Sequence, residues 1–543
     1  MKQQIDTLWF FALALKSKPF TALNFLCFLF LAALFWLVLS LIYWVHPGGH
    51  AWGKHRLRKF ITNRPIPGPR GLPVIGSMRL MSGLAHHRIA AAAEECLAKR
   101  LMAFSLGETR VMVACHPDVA KEILNSSVFA DRPVKESAYG LMFSRAIGFA
   151  PYGIYWRTLR RIAATHLFSP KQIKASENQR FDIADQMVKV IGGVVNTDSV
   201  IRVRDVLKRA SLSNMMCSVF GRRYGLGSNN PEAEEVMELV DEGYELLGIL
   251  NWSDHLPWLA DFDLQKVRGR CSELVPKVNR FVSRIVAEHR ERAGHGNGSD
   301  FVDVLIALQG SDRLSDSDMI AVLWEMIFRG TDTVAVLVEW ILARVVLHPD
   351  VQSRLHDELD RVVGQSRAVT ESDITNMIYL SAVIKEVLRL HPPSPLLSWA
   401  RLAITDTTID GFHVPKGTTA MANIWAIMRD PDVWSDPLEF KPHRFFVNNN
   451  TSTTTGGSEM EFSVLGTDLR LAPFGSGSRV CPGKAMGLTT VSFWVASLLH
   501  EFEWLPSDDE TTGVDLTEVL KLSCEMANPL TVKVRRRHIR TSL

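Results

Sequence analysis

Cysteine is scarce in this chain, and none of it is paired by spacing. Seven cysteines occur in 543 residues, at 27, 96, 115, 217, 271, 481 and 524. None forms a Cys-x-x-Cys pair or a Cys/His zinc pattern. A sparse, odd set points to reduced thiols in the cytosol rather than a disulfide framework. Asn-x-Ser/Thr sequons such as those at Asn125, Asn251, Asn297 and Asn450 would suit a lumenal protein; with a cytosolic domain they are accidental, and that reading is preferred. Net charge is also small: 61 basic minus 58 acidic residues leaves +3, too balanced for a nucleic-acid partner. After residue 76 there is no Pro/Gly/Ser-rich linker and no internal repeat, so one large domain is expected despite the length.

Charge is missing altogether from residues 25–45. Such a run is long enough to cross a bilayer core, and it closes on Tyr43 and Trp44, side chains suited to the membrane boundary. No short apolar core with a small-residue cleavage site marks a signal peptide. Lys54, Arg56, Arg58, Lys59 and Arg64 follow, outweighing Lys2, Lys16 and Lys18 upstream. That excess predicts a single-pass anchor with the main domain in the cytosol. The apolar stretch 8–15 is too short to span, and an interfacial position is open to it. Pro65-Ile66-Pro67-Gly68-Pro69-Arg70-Gly71-Leu72-Pro73 predicts a stiff extended spacer. The expected organisation is an N-terminal segment 1–24, an anchor 25–45, a basic and proline-rich hinge 46–76 and a catalytic domain 77–543.

What is present in that domain converges on one cysteine. Pro473-Phe474-Gly475-Ser476-Gly477-Ser478-Arg479-Val480-Cys481-Pro482-Gly483 can present a thiolate from a tight turn, and a thiolate bound to haem iron favours O–O cleavage. Gly477 and Gly483 allow unusual backbone angles and close approach, Arg479 can reach a haem propionate, and Phe474 can cover the sulfur. Upstream, 317–348 reads as one long buried helix, capped by Ser315, Asp316 or Ser317 and stopped by Pro349. Its middle carries Arg329-Gly330-Thr331-Asp332-Thr333, where Gly330 predicts a kink or groove. Asp332 and Thr333 supply an acid to relay protons and an alcohol to hold oxygen and water. Glu386 and Arg389 share a helix face ahead of the Pro-Pro at 392–393. The stretch 393–399 is expected to be extended, and 448–458 is a low-complexity loop.

These motifs resemble cytochrome P450: Phe-x-x-Gly-x-Arg-x-Cys-x-Gly around Cys481, (Ala/Gly)-Gly-x-(Asp/Glu)-Thr at 329–333, and Glu-x-x-Arg at 386–389. Phe440-Lys441-Pro442-His443-Arg444-Phe445 and Trp156-x-x-x-Arg160 stand in family order with them. Arg329, Val334 and His443 replace the family's usual small residue, hydroxyl and glutamate. The strings Ala130-Asp131-Arg132-Pro133-Val134-Lys135-Glu136-Ser137-Ala138-Tyr139 and Phe328-Arg329-Gly330-Thr331-Asp332-Thr333-Val334-Ala335 are similar to the plant microsomal KLUH and PLASTOCHRON type, linked to organ, fruit and seed size.

The resemblance implies a mainly α fold with a small β-rich lobe and haem b ligated by Cys481. Trp156, Arg160 and Arg401 would face the propionates. Glu386, Arg389 and Arg444 would form a structural triad holding the cysteine loop. Arg157 and Arg161 would point outward toward an acidic reductase. Arg329, beside the distal pocket, needs an anionic partner: Glu325, a propionate or a substrate carboxylate. The implied activity is monooxygenation of a small lipophilic substrate, with electrons from NADPH through NADPH-cytochrome P450 reductase at the endoplasmic reticulum. Two alternatives stand beside it. A reductase-independent haem-thiolate isomerase or dehydratase of lipid hydroperoxides would not need the Asp332–Thr333 pair, and neither would a non-catalytic lipid-binding membrane protein.

Overall fold

The computed structural model describes residues 22–59, 63–195, 200–227, 230–292, 300–397, 400–446, 462–507 and 514–537. The stretch 8–15, Lys2, Lys16, Lys18, Asn297, Asn450 and the loop 448–458 lie outside them. Among the described residues helix accounts for 59% and strand for 9%, so the expected mainly α class with small sheets is what forms.

The charge-free run becomes the helix Ala22–Trp44, of which Asn24–Trp44 is long and apolar enough to cross a membrane. The segment after it is less of a free spacer than the prolines imply. His50–Lys59 is helical, and Trp52 donates its indole N–H to the Phe104 carbonyl at 3.0 Å. The proline stretch is extended, yet it lies along the first strand: Pro67 accepts from the Ala103 amide at 2.8 Å, and Ile66 is buried. Trp44 closes the junction by donating to the Gly71 carbonyl at 2.8 Å. Much of the expected hinge is therefore built into the β lobe, because Trp52 and Ile66 have apolar surface to bury there.

That lobe is a four-stranded sheet in the order Met102–Leu106, Thr109–Ala114, Thr419–Ala422, Arg401–Leu402. Its outer pairs are antiparallel and its central pair is parallel. The strand Arg401–Leu402 brings a buried arginine to the sheet's edge. Before it, residues 393–397 turn rather than extend: the Leu397 amide donates to the Ser394 carbonyl at 2.9 Å, and Leu397 is left-handed at φ +57°. Residues 398–399 lie outside the described set.

The long helix runs Asp316–Leu347, with Ser315 as its cap. Pro349 opens the next helix, Pro349–Val362. The long helix packs against Val203–Phe220, Ile378–Leu390 and Lys484–Glu501. Nearly every side is apolar and buried, including Trp324 and Trp340, which is why the helix occupies the middle of the molecule. A hairpin, Glu518–Leu520 with Cys524–Met526, closes over its flank.

All seven cysteines are free. Two of the sequons have structural uses. Asn125 accepts a hydrogen bond from Ser476 in the cysteine loop at 2.9 Å. Asn251 is only 2% exposed and donates to Glu136 at 2.8 Å, so a glycan there would require this contact to open.

Candidate active site

One internal cavity lies between the long helix and the cysteine loop. Its lining includes Trp156, Arg160, Arg329, Thr333, Arg401, Phe474, Arg479, Cys481 and Gly483 from the sequence analysis. Asp332, Gly477 and the Glu386–Arg389–Arg444 group are not part of the lining.

The loop that carries Cys481 is set by main-chain contacts. The Cys481 amide donates to the Phe474 carbonyl at 3.1 Å, and the Gly483 N–H points at the sulfur. Burial pushes the thiol pKa up; the Gly483 N–H, Arg329, Arg160 and Lys484 pull it down. Gly477 has φ +72°, and a Cβ there would collide with the Leu124 carbonyl, so glycine is required on two counts. Gly483 differs from expectation. Its φ is an ordinary −90°, and what it allows is tight contact with the Phe168 ring, 3.2 Å from where a Cβ would sit.

Outside the cavity lining, Glu386 is fully buried. It accepts from Arg389 at 2.7 and 2.8 Å, from Arg444 Nε at 3.0 Å and from the Lys441 amide at 2.8 Å. The remaining guanidinium donors end on carbonyls: Arg389 on Met428, Pro437 and Glu439, Arg444 on Ser435, Asp436 and Glu439. His443, in place of a glutamate, does not disturb this arrangement.

Arginines crowd one side of the cavity. Arg160 donates to the Val480 carbonyl at 2.9 Å. Arg401 donates to the Ser476 carbonyl at 3.2 Å, while its buried Nη1 has no partner among the described residues. Burial, then Arg479 and Arg160, press the Arg401 pKa down to about 9. Arg132 belongs to the same group, and the sequence reading had not assigned it a role. It donates to the carbonyls of Gly148 and Ala400, and burial followed by Arg401, Arg479 and Arg329 holds its pKa well below the usual value. The only signal in the sequence was a charge set between Phe129-Ala130 and Pro133.

Two expected propionate contacts look different in the structure. Trp156 gives its indole N–H to the Ile147 carbonyl at 3.0 Å. Arg479 gives Nε, Nη1 and Nη2 to the carbonyls of Ala130, Ile147 and Ala150, with its guanidinium 4.3 Å above the Trp156 ring. Both brace the loop around 147–150, which has carbonyls needing donors.

On the distal side, Thr333 faces the cavity, and Asp332, one residue earlier on the helix, faces away. Asp332 bonds the Ser523 hydroxyl, and burial raises its pKa. Lys208 Nζ lies 4.0 Å from it and 3.1 Å from Asp241, which is more exposed. The helix is continuous through Gly330, although Thr331 and Tyr244 donate hydroxyls to the carbonyls of Ile327 and Phe328 at 2.7 and 2.9 Å. Gly330 matters through its missing Cβ, whose place is taken by the Met215 side chain. Arg329 pairs with Glu325, Nε to Oε1 at 3.1 Å, and the same oxygen accepts from the Gly148 amide at 2.7 Å.

A planar dianionic macrocycle with a soft axial ligand suits this set. It would occupy a cavity with one cysteine facing in, and its carboxylates would answer clustered arginines and the unpartnered Arg401 nitrogen. Fold and site together define a haem-thiolate enzyme. The family model "Cytochrome P450" matches residues 66–524. "Cytochrome P450 78A9" of Arabidopsis thaliana is 66% identical over 97% of each chain, and "Cytochrome P450 78A3" of Glycine max is 66% identical over 98% of each. "Flavonoid 3'-monooxygenase" of Arabidopsis thaliana is 35% identical over 88% of this chain and 93% of its own. The chain belongs to the cytochrome P450 family. It is a monooxygenase with haem b on a thiolate ligand, supplied with electrons by a reductase.

Proposed function

We propose that the chain hydroxylates a small lipophilic substrate, a fatty acid or a growth signal derived from one, at the endoplasmic reticulum membrane. The helix Ala22–Trp44 would be its anchor and NADPH-cytochrome P450 reductase its electron donor. The observation that carries this reading is the division of labour between neighbouring side chains: Thr333 lines the cavity that Cys481 also lines, and Asp332 leads out of it to Lys208 and Asp241.

In this reading Cys481 would hold the haem iron through its thiolate, and haem bound there would supply dioxygen activation and transfer of one oxygen atom. The Thr333 hydroxyl holds a water at the distal face. Asp332, which burial keeps closer to its protonated form, passes a proton to that water and is recharged through Lys208. Arg132, Arg160 and Arg401 hold the propionates. Arg329 ties the long helix to Gly148 through Glu325, so it acts on the pocket's shape and needs no charge from the substrate. The likeness to the KLUH and PLASTOCHRON type supports a role in control of plant organ, fruit and seed size.

An isomerase or a lipid-binding protein would have no use for the Asp332–Lys208 route. Turnover of a fatty acid with and without NADPH and reductase tests the reading. Product formed without either would overturn it, and lipid profiling of overexpressing plant tissue would identify the substrate.

A further inference from the structure

Away from the cavity, two segments distant in sequence bring together metal-ligating side chains. His86 and His87 begin the helix Ala85–Glu95; Glu518 and Cys524 lie on the two strands of the late hairpin. His86, Glu518 and Cys524 offer donor atoms all within 4.8 Å of one another.

The two oxygens of Glu518 have different surroundings. Oε1 is 2.9 Å from His391 Nδ1. Arg344 donates to His391 Nε2 at 2.8 and 3.0 Å, so the proton of that ring is on Nδ1 and goes to the carboxylate. This is an ordinary charge-assisted hydrogen bond. Around Oε2 the contacts are longer: His86 Nε2 at 3.4 Å, His87 Nε2 at 3.4 Å and Cys524 Sγ at 3.7 Å. A tetrahedral zinc site with its usual bond lengths has ligand–ligand edges of about 3.4 Å for N···O and about 3.6 Å for S···O. The spacing around Oε2 fits those edges better than it fits hydrogen bonds.

We propose that His86, Glu518 and Cys524, whose donor atoms already lie together, bind a zinc ion, and that His87, 3.4 Å from the same Glu518 oxygen but outside that group, turns in to complete the four ligands. The donor set is the mixed N, S and O type that zinc favours, and one carboxylate with one thiolate matches the ion's two charges. His391, braced by Arg344 and stacked 3.9 Å from Trp340, orients the carboxylate from behind, as outer partners of metal ligands do. The His87 ring is stacked 4.0 Å from Trp425. His87 is also the most exposed of the four, with 42% of its side chain accessible, while its Nε2 is buried and has no hydrogen-bond partner among the described residues.

The site would have a consequence for the cavity. Between Glu518 and Cys524 the hairpin tip places Leu522 and Ser523 in the cavity wall, and Ser523 bonds Asp332. Zinc would hold that wall to the helix Ala85–Glu95.

The test uses the full-length haem-loaded chain, purified without a polyhistidine tag from cells grown with added zinc. The expected result is about one zinc per haem after dialysis against a chelator, with a zinc-edge absorption spectrum showing sulfur at about 2.3 Å and nitrogen or oxygen at about 2.0–2.1 Å. Cys524→Ser and His87→Ala should each lower retained zinc about tenfold while leaving the thiolate band of the reduced carbonyl complex in place. Zinc-free protein with a normal carbonyl spectrum would overturn the proposal, as would zinc without a sulfur ligand or zinc indifferent to both variants. Should Cys524→Ser fail to fold, the accessible His87→Ala decides by the same measurement.

Discussion

The two faces of the cavity hold their charges in different ways. On the cysteine side, Arg479 in the cavity wall and Arg389 and Arg444 outside it spend most of their donors on main-chain carbonyls. Those carbonyls cannot titrate, and they move only with the backbone. On the distal side, Asp332 and Arg329 depend on side chains: Lys208, Ser523 and Glu325. One face is fixed in place, and the other can exchange a proton or a partner. The difference follows what each must do, since an axial sulfur has to stay still while a proton relay has to reset.

The comparison is broken most severely on the fixed side. Glu386→Ala would leave Arg389 buried without its carboxylate, at a cost of about 3–5 kcal/mol, enough to exhaust much of a typical domain's stability. The expected outcome is little or no haem-loaded protein, measured as haem absorbance per milligram of purified chain. Recovery at wild-type level would mean the carbonyl contacts alone hold the loop.

Cys481→Ser should be less destructive to the fold and decisive for the chemistry. Apart from the Gly483 N–H, which a serine oxygen can also accept, the loop's own bonds, Cys481 N–H to Phe474 among them, do not involve the sulfur. The variant should fold and lose the thiolate-specific Soret band of its reduced carbonyl complex. A normal band would mean that another residue ligates the iron.

These two residues also mark what the sequence made legible. Cys481, Glu386 and Thr333 sit in short strings whose spacing carries their chemistry, so they could be found without a structure. The different facing of Asp332 and Thr333 is a finding of the structure, consistent with adjacent helix residues pointing about 100° apart. Arg132, Met215 and Ser523 were not legible as site residues. Their roles come from contacts across the fold: Met215 fills the space Gly330 leaves open, and Ser523 reaches Asp332 from the late hairpin. The proline-rich segment misled for a related reason. Its stiffness is local, whereas its packing depends on Trp52 and the first strand. Arg479 was read by its nearness to Cys481, but three carbonyls around residues 130–150 claim its donors.

On the exchangeable side the effects should be kinetic. Thr333→Ala is expected to keep NADPH consumption while reduced oxygen escapes as peroxide, because the hydroxyl that holds the water is gone. Asp332→Asn should slow product formation about 10²-fold or more, the range for a lost general acid, with the fold intact. Product yield per NADPH and peroxide release distinguish the two. Unchanged coupling in Thr333→Ala would remove the relay role, and Asp332→Asn at wild-type speed would move proton delivery away from Lys208.

The smallest effect belongs to the outer surface of the fixed side, where Arg157 and Arg161 are both exposed. The two are not equivalent. Arg161 is bound to Asp312 at 2.6 Å, so part of its field is already neutralised. Arg157 lies over the Tyr152 ring, 5.7 Å from its centre, a contact that leaves its charge available. An acidic reductase surface should therefore respond more to Arg157→Glu than to Arg161→Glu. Rim charges act mainly through association rate and its dependence on salt, so the predicted signature is a several-fold slower first electron transfer at low ionic strength that converges with wild type as salt screens it. Equal effects of the two reversals would mean that Asp312 moves away on docking. No change in the salt dependence for either would place the reductase on another face.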